Sequence, residues 1–392
     1  MNSELEELKK IKDILQPKQP KKEIKYTNKQ ELLDALNSGN YLAIYDASSE
    51  LLDDKEIIMT AIRINHYAFS CASERLRSDR EIMLEALKYD NRKVFQRASQ
   101  ELVNDKEIVL SELKKRDNVD FLEFTNESIR SDKEIIMTAV KNNGRALKYA
   151  LPVLQNDKEV VLTALRTGGS LLKYASPEIK NDKELVLMAI KDNPAAFEFA
   201  SSELKGDKEV VLAAVSKWGH LLEYASPEMR ADKEVVLVAA SNDGIALKYA
   251  SPEIQNDRNI ILEVVKNNGC SLQYCLEQFK SDREVVMNAV NKYGPALKHA
   301  SLELRSDKDV VMTAVDNKGY ALEYASPEMR ADKEVAIAAI GNDVYSSKYV
   351  SKTLESDYDV ISTIKENAPN SATIDYCDSM LAKIESNNSH KL

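Results

Sequence analysis

Histidine, cysteine and tryptophan are scarce in this chain, at 4, 4 and 1 of 392 residues. Cys71, Cys270, Cys275 and Cys377 show no CxxC spacing and no nearby histidine that would complete a tetrahedral zinc site, so a reducing compartment is the natural reading. No Ser/His/Asp or Cys/His set can be assembled from so few histidines, one of them in the C-terminal tail, and no metal or cofactor is expected. Proline and glycine are also few, 10 and 11, while 43% of residues are hydrophobic and 30% charged, which excludes a chain disordered by composition. No apolar run approaches the roughly 18 residues needed to cross a bilayer. The opening MNSELEELKKIKDIL carries acids where a secretory signal needs an apolar core. A positive balance is missing too: the formal net charge is −10, the wrong sign for holding long stretches of phosphate backbone. The expected setting is the cytoplasm, or a host cytosol reached without a cleaved signal peptide, with no membrane and no nucleic acid as main partner.

What the chain has instead is repetition. The string Asp, Lys or Arg, Glu, then two or three aliphatics returns as DKEVVLTAL at Asp157, DKEVVLAAV at Asp207, DKEVVLVAA at Asp232 and DREVVMNAV at Asp282. With that Asp as origin, units begin every 25 residues from Asp132 to Asp357. Asp54, Asp79 and Asp105 extend the series upstream, at slightly irregular spacing between Asp79 and Asp132, and Asn28 is a degenerate first origin. The fold expected is all-α, an α-solenoid of about fourteen 25-residue two-helix repeats. The repeats span residues 26–378, after an N-terminal amphipathic helix and Pro/Lys linker in 1–25 and before a tail in 379–392.

The grammar of a unit is clear in Asp232 to Asn256. Asp232 caps a helix whose Val235, Val236, Leu237, Ala239 and Ala240 cover more than half its surface, as expected of a helix walled in on both sides. Gly244 is expected to end it in the positive-φ conformation that glycine tolerates. A short second helix, IALKYAS, then points Leu247 and Ala250 inward, and Ser-Pro opens a one-turn helix that leads to the next Asp. Ordering one unit costs more than its eight or nine apolar side chains return on burial, so no unit can fold without neighbours.

The recurring pattern DKEVVLxAVxxxGxALxYASPEhRxD, with h aliphatic, resembles the tandem-repeat family catalogued as domain of unknown function 4116, over roughly residues 50 to 360. The resemblance implies no agreed activity and no catalytic residues. Its occurrence in bacteria of protozoan hosts and in unicellular eukaryotes implies a possible use as a secreted effector. Cys71, Arg97 and His299 depart from the pattern at the tyrosine slot, and Pro194 and Val344 at the glycine slot.

A residue type that returns in nearly every unit builds the unit, because an active site needs one asymmetric constellation. The Asp/Lys/Glu triplets therefore read as caps and surface charges, and the tyrosine column, Tyr149 to Tyr349 in steps of 25 with Phe199 in register, as a packing ladder ahead of a binding stripe. Gly168-Gly169-Ser170 lacks the ending of a phosphate loop, and Asn242-Asp243-Gly244 lacks the other ligands of a calcium loop. The informative positions vary between units, at origin plus nine to eleven, thirteen and sixteen. From Lys141 to Asp343 the loop positions nine to eleven carry seven cations and four aspartates, a mildly basic edge on an acidic protein. Trp218, His220, Tyr293, Tyr320 and Tyr345 intrude on that edge as candidate protein-binding anchors. The expected function is a non-enzymatic protein–protein interaction scaffold. The alternatives are an enzyme or effector site built from variable residues, signalled by a deep pocket drawing polar groups from several units, and a nucleic-acid binder, which needs a continuous basic groove.

Overall fold

The computed structural model describes residues 24–115 and 117–389, with side chains at 387–389 left out. The expected N-terminal amphipathic helix, with Leu5, Leu8, Ile11, Ile14 and Leu15, lies outside the described residues.

All fourteen repeat origins cap a helix. Asn28 accepts the backbone N–H groups of Gln30 and Glu31, so the degenerate first origin is a true one. Asp54, Asp79, Asp105 and Asp132 do the same across the irregular stretch, and the series continues through Asp157 to Asp357. Each cap satisfies amide donors that the first turn leaves without a helical partner. In the unit at Asp232, the helix Lys233–Asn242 buries Val235, Val236, Ala239 and Ala240 completely.

The second helix is tighter than an ordinary α-helix. Gly244–Tyr249 is a six-residue 3₁₀ helix, burying Ala246 and Leu247, and the same element recurs from Tyr41–Asp46 to Val344–Tyr349. Six residues make two turns at three residues per turn, enough to place the alanine and leucine on one face. The one-turn helix follows, as in Pro227–Arg230, where Ser226 caps Met229 and proline fills the first position. No strand occurs among the described residues, where Tyr26 and Ala47 form an isolated bridge.

The glycine slot has a different reason from the one the sequence suggests. No glycine at that slot has positive φ, and Gly39 is the described residue that does. A Cβ on Gly169, Gly219, Gly269, Gly294 or Gly319 would stand less than 3 Å from the carbonyl oxygen of an alanine in the next repeat: Ala189, Ala239, Ala289, Ala314 or Ala339. The glycine Cα hydrogen occupies that direction instead, a Cα–H···O contact repeated from unit to unit. Small residues on both sides let the 3₁₀ helix press against the next capped helix. Where Val264 takes the alanine place, the hypothetical Cβ of Gly244 meets Ser271 Oγ at 2.6 Å instead.

Polar ties follow the same step. Asn342 donates from Nδ2 to the Asp316 carbonyl at 2.7 Å and accepts the Gly319 N–H on Oδ1 at 2.8 Å. Asn317 does this for Asn291 and Gly294 at 2.9 and 2.7 Å. Asp192, which the sequence places among the edge charges, accepts the Gly169 N–H at 2.7 Å. The residue two before the glycine slot is thus a tie between repeats in these units.

The chain divides into two compact units, Met1–Thr167 and Gly168–Leu392. Within each unit, capped helices pack on capped helices and 3₁₀ helices on 3₁₀ helices of neighbouring repeats. The fold class is all-α, tandem helical repeats stacked as a solenoid within each unit. The expected C-terminal tail begins inside a helix, Ser371–Ser389. Ile374, Cys377, Leu381 and Ile384 recur at helical spacing, and Cys377 is buried.

Candidate functional site

The Asp/Lys/Glu triplets form a ladder, not scattered surface charges. In most repeats the cation after the origin reaches the next origin's Asp and the acid two residues beyond: Lys183 lies 2.8 Å from Asp207 Oδ2 and 2.8 Å from Glu209 Oε2. Lys208 repeats the contact with Asp232 and Glu234 at 2.9 and 2.8 Å, and Arg258 with Asp282 and Glu284 at 2.6 and 2.7 Å. Asn259 replaces the second acid for Lys233, whose side chain is 68% exposed against 41% for Lys208. The second carboxylate is therefore what draws the lysine down onto the surface. The Lys183 hydrogen bond holds the Asp207 carboxyl below its ordinary range, and Asp207 and Glu209 raise the Lys183 ammonium above its own.

With the frame bonded to itself, the candidate anchors stand apart. Trp218, Tyr293 and Tyr345 are 43%, 37% and 65% exposed, whereas Tyr320 is half-buried. Trp218 stacks on His220 at 5.9 Å between ring centroids, and His220 Nδ1 lies 3.5 Å from Asp243. A hydrogen bond donated by the Tyr293 hydroxyl to Tyr320 pushes the Tyr293 phenol up to about 12. The structure thus pairs Trp218 with His220 and Tyr293 with Tyr320. The first pair belongs to the repeat at Asp207, and the second joins the repeats at Asp282 and Asp307.

The tyrosine column is half-buried, with ammonium groups over several ring faces. Lys148 sits 4.4 Å above Tyr149, Lys173 4.8 Å above Tyr174, Lys248 5.2 Å from Tyr274 and Lys348 4.7 Å from Tyr349. His299, in this column, is also half-buried, and burial followed by Lys298 and Lys280 lowers its pKa. Cys275 is buried and its thiol is pushed up to about 12, Cys71 is half-buried and Cys270 exposed. Among the described residues no cluster of three or more His, Cys, Asp or Glu side chains could hold a metal ion.

One feature of the Met1–Thr167 unit falls where the repeat spacing is irregular and Arg97 replaces the tyrosine. His66 occupies a glycine slot, and in the following repeat an α-helix, Asn91–Arg97, replaces the 3₁₀ helix. Between them opens a pocket of about 180 Å³ lined by His66, Tyr67, Ser70, Asp90, Lys93 and Arg97. Lys93 lies 3.8 Å from the Tyr67 ring centroid, and His66 stacks on Tyr89 at 5.8 Å.

The repeat geometry and its register agree with a family model described as "Domain of unknown function (DUF4116)". It matches residues 31–77, 79–119, 115–155, 157–205, 207–255, 257–305, 282–330 and 307–355. The chain belongs to this family. The DUF4116 matches repeat in tandem and take in both compact units. No curated protein matches the chain. A solved chain titled "Computational Design of Self-Assembling Cyclic Protein Homooligomers" is 12% identical over 91% of this chain and 97% of its own, with a TM-score of 0.09, too low to bear on the fold. No described helix is long and apolar enough to cross a membrane.

Proposed function

We propose that this DUF4116 protein is a non-enzymatic scaffold for protein–protein interaction. Its partner would be met at the loop edge of the Gly168–Leu392 unit, with Trp218, Tyr293 and Tyr345 as anchors and His220 and Tyr320 as supports. The observation that carries the reading is exposure: Trp218 and Tyr345 stay open on an edge whose backbone ties are already made by Asn and Asp side chains. Large aromatics in that setting are the residues that dominate interface energies. Delivery to a host cytosol as an effector, or residence in the cytoplasm, are both settings such a scaffold would suit. The net charge of −10 argues against nucleic acid as the main partner. The test is a quantitative pull-down comparing wild type with a Trp218→Ala, Tyr345→Ala double variant. Selective loss of the captured set is expected, and unchanged recovery of every protein would remove the assignment.

A second reading, ligand binding in the Met1–Thr167 unit, is favoured by the His66/Lys93/Arg97 pocket, whose polar groups come from two repeats. At about 180 Å³ it suits a small anionic molecule better than a drug-sized one. Thermal shift against small carboxylates and phosphates tests it, and stabilisation that survives in Arg97→Gln would contradict it.

A further inference from the structure

A second ridge of the Gly168–Leu392 unit is positively charged on an acidic protein. At origin plus twenty-three, in or at the end of the short helical turn before the next origin, stand Lys180, Lys205, Arg230, Arg305 and Arg330, with Gln255 and Lys280 between the two groups. Each is half-buried. The backbone places each beside the aromatic column of the next repeat, because the serine two residues after the ring donates its N–H to that carbonyl: Ser226 to Lys205 at 2.8 Å, Ser251 to Arg230 at 2.8 Å, Ser351 to Arg330 at 2.9 Å. Lys205 accordingly lies 5.8 Å from the Tyr224 ring centroid. Counting the two columns that flank the rings, from Lys173 to Glu355, gives ten lysines or arginines against four glutamates.

These cations differ from those of the ladder. Among the described residues no carboxylate lies within 4.0 Å of the charged groups of Lys180, Lys205, Arg230, Arg305 or Arg330, whereas Lys280 is held by Glu277 at 2.8 Å. The Nε atoms of Arg230, Arg305 and Arg330 are buried without a hydrogen-bond partner. Among the described residues the glutamates of the one-turn helices make no ion pair with them. Glu178 and Glu328 bond first to their own backbone N–H and then to the capping serine, which lowers their pKa; Glu228 bonds first to its serine. Half-buried, unpaired cations in a fixed register keep their charge for something outside the fold.

We propose that this ridge docks an extended acidic segment of a protein partner, with carboxylates recurring about every third residue. Adjacent repeats stand roughly 8 to 10 Å apart, and an extended peptide covers that distance in about three residues. Charge complementarity selects an acidic occupant. The rings do not offer stacking sites for bases, since lysines stand over several of their faces. The proposal deepens the scaffold reading by naming the partner's chemistry. It uses a surface other than the aromatic loop edge, so the two fail separately.

The experiment is fluorescence anisotropy on the full chain with a labelled peptide of about 18 residues, glutamate at every third position and Gly/Ser between. Its comparators are a peptide of equal composition with the glutamates in one block and a uridine oligonucleotide of similar length. The periodic peptide should bind best, with affinity falling as salt rises. An Arg230→Gln, Arg305→Gln, Arg330→Gln variant should lose about tenfold in affinity, the corresponding triple Arg→Lys variant should retain most of it, and Trp218→Ala with Tyr345→Ala should retain all of it. Equal binding of the block peptide, tighter binding of the oligonucleotide, no binding of the periodic peptide, or full binding by the Gln variant would each overturn the proposal. Should the Gln variant unfold, the comparison of periodic with block peptide on the wild type decides.

Discussion

Asp232 divides its carboxylate between two repeats: Oδ1 accepts the Val235 N–H at 3.0 Å, and Oδ2 takes the Lys208 ammonium of the preceding unit at 2.9 Å. One side chain both starts its own helix and fastens that helix to its neighbour. The acid column is thus a cap in sequence and a clamp in space.

That double duty makes the two partners unequal. Asp232→Ala loses cap and clamp together and should lower stability by about 1 to 2 kcal/mol. Lys208→Ala loses an exposed pair alone and should cost clearly less than Asp232→Ala, with an effect that fades as salt is added. Urea unfolding of both variants at low and high salt measures the difference, and equal losses would contradict the division of labour.

The ladder also sets a pH window. Aspartates such as Asp207 titrate below their ordinary value, first because of Lys183, so their contribution is present above the unfolded value and lost as pH falls through the folded one. Lysines such as Lys183 titrate above theirs, because of Asp207 and then Glu209, so their contribution is present below the unfolded value and lost as pH rises through the folded one. The melting temperature should be flat between about pH 5 and 9 and drop on either side. In Lys183→Met the alkaline drop should shrink, as read by circular dichroism.

Two glycines separate close approach from helix propensity. A Cβ on Gly319 would meet the Ala339 carbonyl oxygen, backbone that cannot turn aside, whereas Gly341 has nothing within 4 Å. Gly319→Ala should cost about 3 kcal/mol or more. Gly341→Ala, inside the helix Lys333–Asn342, should gain up to about 1 kcal/mol. Matching effects of the two would sink the contact explanation.

Asn342→Ala removes a donor and an acceptor that tie its repeat to the one before. The expected loss is about 1 kcal/mol by chemical unfolding, and no loss would contradict the tie.

Local signals were legible in the sequence and inter-repeat signals were not. The Asp caps, the Ser-Pro helix start and the buried Val235/Val236/Ala239/Ala240 face depend on residues a few positions apart, and each can be read from pattern. The Lys208–Asp232 clamp and the Gly319–Ala339 approach join residues 24 and 20 positions apart, so they need to be known to be neighbours before they can be seen. Glycine after a helix suggests positive φ from local rules alone, and only the next repeat reveals that it is space that is wanted. The exposure of Trp218 and Tyr345 followed from loop register. The unpaired Arg230, Arg305 and Arg330 column did not, because each reads in isolation as an ordinary basic residue closing a helix.

The account's central claim is that these repeats stand by leaning on their neighbours, and hydrogen exchange on the intact chain tests it most directly. In Gly319→Ala, protection should fall most in residues 307–355 and recover step by step toward residue 168. A uniform loss across residues 168–389, or a loss confined to the mutated repeat, would contradict it.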